Sequence, residues 1–249
     1  MSFLERLDVS LASRWVSGSM DAPAVHTLTE GAGLPEVPTV DPRKWISSVL
    51  GLRGLLIHSK DVDAVLSGRA CRYTELQHEH AMIRGLGRVF RVIHQHASQG
   101  RAPDGWHLAQ LFKVFSRGVS RFRNNSLRRD MPWDAILYVT YPAPERVRSL
   151  LDDFNLDACY GDHPLRFRNV HPVRQAFRML WRLARIAPFP DFNLVMAFVA
   201  MSEYLLYSGY PLFCPEPEDR AMLHRLVSGP IPNRIMRFES RMSTVQGSG

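Results

Sequence analysis

The stretch that decides the fold spans residues 171–211 and has the sequence HPVRQAFRMLWRLARIAPFPDFNLVMAFVAMSEYLLYSGYP. Apolar residues recur at helical spacing over 171–186 and again over 193–208, which predicts two long helices. The turn between them, residues 187–192, contains two prolines, and Gly209 ends the second helix. The pattern favours a bundle built around this helical pair.

The same helical rhythm extends outward in both directions along the chain. Thr74 with Gln77 has the spacing of a capping box, and Pro103-Asp104-Gly105 is a typical helix start. Further helices are predicted over about 42–57, 74–98 and 103–118, from Pro142 through 154, and over about 218–227.

One segment interrupts this rhythm. Residues 119–141 have the sequence VSRFRNNSLRRDMPWDAILYVTY, in which Asn124-Asn125 suggests a turn and 136–141 is a β-prone run. We expect a short β-hairpin here. The predicted fold class is mainly α, a single helical bundle with one short hairpin inserted in its middle.

The chain ends differ from the middle in composition. Residues 1–42 carry clusters of Ser, Gly, Pro and Thr and little periodicity, which predicts a flexible N-terminal segment. We expect one domain over 43–240 and a disordered tail over 241–249.

Composition excludes several classes of protein. The 249 residues are 45% hydrophobic and 22% charged, which excludes wholesale disorder. No apolar run has the length of a membrane span, and charged residues occupy the place of a signal peptide's apolar core. The three cysteines lie far apart, which fits neither a disulfide framework nor a zinc site. A cytoplasmic location is predicted, and a secreted effector stays open as an alternative.

The charge of +7 comes almost entirely from arginine, since 3 of the 31 basic residues are lysines and 28 are arginines. The arginines are spread along the whole chain, which favours a solvated basic face over a specific nucleic-acid surface. One basic stripe stands out on the helix predicted over 171–186, formed by Arg174, Arg178, Arg182 and Arg185.

Residues 171–211 resemble the core of the Fic (Fido) family, whose pattern is HP, a helix, I-H-P-F-x-D/E-G-N-G/K-R, a second helix and often G-Y-P. The segment 118–123 is similar to the G-x-[YF]-R that introduces the family's flap hairpin, and 141–147 is similar to the Pro-rich start of the next helix. The matching positions of the central motif are Ile186, Pro188, Phe189, Pro190, Asp191 and Asn193.

The resemblance implies a reaction and a way of binding. Active Fic proteins transfer AMP, UMP, phosphate or phosphocholine to a target hydroxyl, with ATP and Mg²⁺ as the usual cofactors. Their flap holds a target segment by main-chain pairing. Carried over to this chain, the flap and partner-binding residues are Arg121, Phe122, Arg123 and Trp133.

The chain departs from the family pattern where the chemistry lies. Ala187 replaces the histidine that acts as general base, and a methyl group cannot accept a proton. Phe192 replaces the glycine of the phosphate-binding loop, and Val195, preceded by Leu194, replaces the phosphate-binding arginine.

Two polar residues of the motif, Asp191 and Asn193, are retained. By resemblance, Asp191 would be a Mg²⁺ ligand and Asn193 an anion-hole donor. The alternative, which we favour, is that Asp191 caps the helix beginning near Asn193. No metal site is therefore predicted, with Asp191 as the single candidate.

Two further patterns resemble functional sites. Ser59 and Asp63 lie where the family's inhibitory helix would be, as a loose match that also arises by chance. The pairs His78/His80 and His94/His96 have a spacing of two, which points the rings away from each other on a helix. Surface histidines are predicted at these positions.

The leading hypothesis is a catalytically degenerate Fic-like protein that binds a protein partner through the flap groove and the arginine face, with no cofactor. The first alternative is an active Fic-type transferase with rearranged groups, which would use ATP and Mg²⁺. The second is an Arg-rich binder of nucleic acid or acidic protein.

Overall fold

Eight α-helices and one short 3₁₀ helix make up the described part of the computed structural model. The described residues are 40–69, 77–101, 103–119, 127–156, 172–209, 212, 214–217 and 219–229. The α-helices are α1 (Pro42–Gly51), α2 (Ser59–Leu66), α3 (Gln77–Ser98), α4 (Gly105–Ser116), α5 (Val147–Leu156), α6 (Pro172–Ile186), α7 (Asn193–Tyr207) and α8 (Asp219–Ser228), and the 3₁₀ helix is Pro144–Arg146. The predicted mainly α class is confirmed.

Helix α7 forms the centre of the bundle. Its sequence is apolar on all sides, as expected of a helix surrounded by protein, and most of its residues are buried. Helices α6, α3, α4 and α1 all pack against it. The start of α7 therefore lies where several elements meet.

Helices α3 and α4 cross at very short range because α3 has a glycine at the crossing. A Cβ atom placed on Gly85 would lie 2.1 Å from the backbone oxygen of Phe115 in α4. That approach brings Phe112 and Phe115 of α4 into the core beside the start of α7.

Helix boundaries follow local signals. Asp104 accepts a hydrogen bond of 2.5 Å from the backbone N–H of His107, so it caps α4 as its sequence indicates. The first predicted helix is shorter than expected, since α1 ends at Gly51. Gly54, with φ 89°, has a left-handed conformation that turns the chain away from the helix axis.

The predicted strand at 136–141 is wrong, because residues 127–143 form turns and irregular backbone. Tyr138 has φ 64°, which interrupts an extended chain. The N–H of Ile136 donates to the Tyr141 hydroxyl at 2.8 Å instead of to a neighbouring strand. The rest of the predicted hairpin, with Arg121, Phe122 and Arg123, lies outside the described residues.

The predicted flexible ends fall almost wholly outside the described residues, so the boundaries at 42 and 240 remain predictions. Within the described ranges, the helices are too short or too polar for any of them to cross a membrane.

Replacing Gly85 with alanine should destabilise the protein. The new methyl group would meet the backbone of Phe115, which cannot move without separating α3 from α4. We expect a loss of about 1–3 kcal/mol in the free energy of unfolding, measured by urea denaturation.

Gly87→Ala on the same helix is the matched control. Its methyl group would meet the end of the flexible Leu66 side chain at 2.9 Å. Because alanine favours helix over glycine by about 0.5–1 kcal/mol, stability should stay level or rise. Equal effects at the two positions would contradict the close crossing.

Candidate functional site

The loop 187–192 joins α6 to α7 and contains the motif residues singled out above. Ala187 has φ 45° and Phe192 has φ 63°, so both ends of the loop are left-handed. Glycine is the residue that adopts this conformation without cost. Phe192 therefore has the backbone turn suited to the motif glycine while carrying a large side chain.

The aromatic rings of this loop are buried in the core. Phe189 stacks on Phe112 with centroids 4.1 Å apart, and Phe192 meets the edge of Phe115 at 5.1 Å. Ala187 and Val195 are also buried. The side chains at the substituted motif positions thus serve packing, and position 187 has no group that could accept a proton.

Asp191 is buried and forms an ion pair with Arg53, which follows α1. Its Oδ1 accepts from Arg53 Nε at 2.6 Å, and its Oδ2 lies 3.3 Å from Arg53 Nη2. This hydrogen bond is the main reason that the pKa of Arg53 is raised. A guanidinium therefore occupies the position beside Asp191 that a cation would take.

The prediction that Asp191 is the N-cap residue of α7 is wrong. The capping position belongs to Phe192, whose own side chain makes no such bond. Asp191 Oδ1 instead accepts from the N–H of Phe192 at 2.7 Å, just before the helix starts. Its carboxylate thus stabilises the left-handed residue rather than the first turn of α7.

Asn193 is bound by a second carboxylate, that of Asp134. The backbone N–H of Asn193 donates to Asp134 Oδ2 at 2.5 Å, and its Nδ2 donates to Oδ1 at 2.7 Å. The amide of Asn193 also bonds both the N–H and the C=O of Phe189, which fixes the loop. Burial raises the pKa of Asp134, and the bonds from Asn193 oppose that shift.

Arg128 fixes the segment 127–143 against the loop. Its buried guanidinium donates to the carbonyl oxygens of Ala187 at 2.7 Å and Pro142 at 2.6 Å. Its backbone N–H donates to Pro188 O at 2.9 Å, and that of Trp133 donates to Pro190 O at 2.8 Å. Burial lowers the pKa of Arg128.

A small cavity of about 120 Å³ remains beside the start of α7. Pockets for drug-sized ligands and cofactors have volumes of about 300–1,000 Å³. The volume of this cavity lies below that range. Its polar lining includes Arg53, Asp134, Arg220 and His224.

Sequence reasoning missed Arg53, Asp134 and Arg128, the residues that contact the loop. Each comes from a segment distant in sequence, and none stands in a recognisable motif. Only the position of Asp134 beside Trp133, in the region compared with the flap, could have drawn attention to it.

Helix α2 spans the positions that were compared with the inhibitory helix of the Fic family. Its Asp63 pairs with Arg43 Nη1 at 3.2 Å and with Arg69. Ser59 is exposed at the helix start. Neither of these arginines is a motif residue, and an inhibitory role for Ser59 and Asp63 remains a prediction.

The arginine face of α6 is in part used internally. Arg185 lies over the ring of Trp181 at 4.7 Å and donates to Val227 O, near the end of α8, at 3.3 Å. Arg178 and Arg182 are half-buried, and the Arg174 side chain lies outside the described residues. A partner role for this face remains a prediction.

Two other aromatic and histidine predictions need correction. Trp106, whose place on the apolar face of the helix predicted over 103–118 favours the core, is instead partly exposed and donates to Asp152 Oδ1 at 3.1 Å between α4 and α5. His96, expected at the surface, is largely buried against Glu203 of α7. Both form contacts between helices that periodicity along one helix cannot predict.

The segment that contains Trp133 is unusually apolar at its surface. Met131, Trp133, Leu137 and Tyr138 have exposed fractions of 63%, 57%, 72% and 90%. Contiguous exposed apolar side chains of this kind typically mark an interaction surface. We call residues 131–138 the exposed apolar segment.

Comparison with known proteins identifies the fold. No family model matches the sequence, and no curated protein matches it either. Solved structures do match: a fragment of Fic-1 from C. elegans has a TM-score of 0.62 at 15% identity, covering 98% of this chain and 74% of that one. A Fic-domain signalling protein from Bacteroides thetaiotaomicron has a TM-score of 0.61 at 18% identity, covering 83% and 82%. The chain therefore has the Fic fold.

The left-handed conformation of Phe192 yields a prediction. Phe192→Ala and Phe192→Gly leave a similar cavity and should each cost about 3–5 kcal/mol in the free energy of unfolding. Because φ is 63°, the glycine variant should be more stable than the alanine variant by about 1 kcal/mol.

The same pair of substitutions at Phe189 is the control, since this residue has no positive φ. There alanine should be the more stable. If alanine were also the more stable at position 192, the left-handed conformation of Phe192 would be excluded.

Proposed function

We propose that this Fic-fold chain has lost nucleotide transfer and acts as a protein-binding module. The observation that carries the proposal is the contact between Asp134 and Asn193 at the start of α7. In the family pattern this region binds the diphosphate of the nucleotide. Here its donors are taken by a carboxylate of the chain itself.

Electrostatics supports this interpretation. A nucleotide phosphate at the start of α7 would lie beside the Asp134 carboxylate, and two anions at contact distance repel each other. Arg53, one of the two arginines that line the cavity beside the start of α7, already pairs with Asp191. The arginine of the family motif is replaced by Val195, which is fully buried.

Packing supports it independently. Phe192 is buried against Phe115, so opening the loop for a ligand would expose aromatic surface. Ala187 lies at the position of the general base and its carbonyl is bound by Arg128. The loop is thus held closed by the packing of Phe192 and by the hydrogen bond from Arg128.

The transferase alternative has one observation in its favour. His224 of α8 lines the cavity beside Val195, and burial lowers its pKa, which keeps the imidazole neutral and able to accept a proton. A reaction there would need a nucleotide to enter by displacing Asp134 or Arg53. The arrangement of the loop favours loss of the reaction.

Several arginines have structural roles, which weakens the nucleic-acid alternative. Arg88 Nη2 donates to Val114 O at 3.2 Å and to Arg117 O at 3.1 Å near the end of α4. Arg128 and Arg185 likewise bond backbone carbonyls. Part of the basic charge thus serves contacts between segments rather than a nucleic-acid surface.

We infer that a partner protein binds the exposed apolar segment. Trp and Tyr are the side chains most enriched among residues that dominate binding energy. The segment is held in place by Arg128 and by the bond from Trp133 N–H to the loop. A preformed surface loses little conformational entropy on binding.

ATP–Mg²⁺ should not bind at millimolar concentration in isothermal titration.

Ala187→His alone should give no transfer of labelled nucleotide, because a base is useful only where the phosphate is held in line. The quadruple variant Ala187→His, Phe192→Gly, Leu194→Gly, Val195→Arg should bind ATP only when Asp134→Ala is added, which frees the donors of Asn193.

Two results would contradict this proposal. Micromolar ATP binding by the unchanged chain would exclude the closed loop. Transfer of nucleotide by the unchanged chain, lost in His224→Ala, would establish the transferase alternative instead.

The partner surface is tested by affinity capture from a lysate with the full chain as bait. The double variant Trp133→Ala, Tyr138→Asn should lose the captured protein, and asparagine is chosen because it tolerates the φ of 64° at position 138. Leu56→Ala, at another exposed apolar residue, is the control and should retain the protein. Capture that survives the double variant would place the binding surface elsewhere.

A further inference from the structure

Three helices bring two histidines and a glutamate together at a distance from the loop 187–192. His96 lies in the last turn of α3, His107 in the first turn of α4, and Glu203 in α7. His96 Nδ1 and His107 Nε2 each lie 2.8 Å from Glu203 Oε1. The side chain of Glu203 is 0% exposed.

The charge of Glu203 is poorly compensated. A buried carboxylate is costly unless it is paired and hydrogen-bonded, yet its Oε2 has no hydrogen-bond partner. The second histidine does not correct this, since His107 Nε2 lies close to Oε1 without the alignment of a hydrogen bond. The two imidazole rings stack with their centroids 3.9 Å apart, which holds both close to the carboxylate.

We propose that His96, His107 and Glu203 bind a divalent cation of the zinc class. The donor atoms all lie within 4.8 Å of one another. Two imidazole nitrogens and one carboxylate oxygen form a ligand set that Zn²⁺ uses, with a fourth position left for water. A dication would neutralise the buried carboxylate and use the unpartnered nitrogen of His107.

The surroundings allow coordination with a small adjustment. Two stacked rings do not direct their lone pairs at one point, so one imidazole turns about its side-chain torsions when the ion binds. The side chains of His96 and His107 are 16% and 17% exposed, so one edge of the cluster is open to solvent. A ring can turn on that edge, and a water ligand can reach the ion there.

Metal bound here would join the end of α3, the start of α4 and the central helix. The ion would therefore stabilise the folded bundle, because the unfolded chain does not bring these residues together. The site is separate from the motif loop, so it is independent of whether nucleotide transfer is lost.

Zn²⁺ binding to the full, untagged chain is measured by isothermal titration, and Co²⁺ absorption reports the geometry of the ligands. We expect one ion per chain, micromolar affinity or tighter, and a rise in the unfolding temperature with Zn²⁺. Glu203→Gln and His107→Asn should each weaken binding by more than about 100-fold, because changes to outer-shell partners alone cost about 10–100-fold.

His78→Asn, which alters an exposed histidine on the same helix, is the matched control and should bind normally. Circular dichroism verifies folding, and the partly exposed His107 provides a second test if Glu203→Gln fails to fold. Absence of saturable binding would overturn the proposal. Binding that persists in His107→Asn, or that is lost in His78→Asn, would overturn it equally.

Discussion

The arrangement around the motif loop depends on the buried guanidinium of Arg128. It connects two segments that share no helix, because its donors reach the carbonyls of Ala187, Asp130 and Pro142 at once. A planar group with five donors can satisfy such diverging acceptors, whereas an ammonium group on a flexible stem cannot do so with the same geometry. With 127–143 held in this way, Asp134 reaches the start of α7 and Trp133 remains exposed.

Much of the fold was predictable, because helical periodicity and caps are local signals. Helices α3, α4, α6, α7 and α8 begin and end within a few residues of their expected positions. The failures have a common physical origin in contacts between distant segments. The β-prone run at 136–141 lies on a surface fixed from outside by Arg128, and His96 is buried by the neighbouring helix α7 rather than by its own.

The positions at which the chain departs from the family motif were predictable from the sequence, whereas the contacts of the remaining polar residues were not. The substitutions at 187, 192 and 195 can be identified from the motif alone. The partners of the surviving residues cannot, since Arg53 lies 138 positions from Asp191 and Asp134 lies 59 from Asn193. The two polar residues that match the family motif, Asp191 and Asn193, both bond side chains from distant segments and help to hold the loop between α6 and α7.

The hydrogen bonds that attach the segment 127–143 to the loop and to the start of α7 differ in their acceptors. Asp134 accepts the bonds of Asn193 through a carboxylate, and burial raises the pKa of that carboxyl. Arg128 bonds carbonyl oxygens, which carry no titratable charge. Acidification therefore acts on these attachments unequally: it weakens the bonds from Asn193 to Asp134 and leaves those from Arg128 to the backbone carbonyls in place.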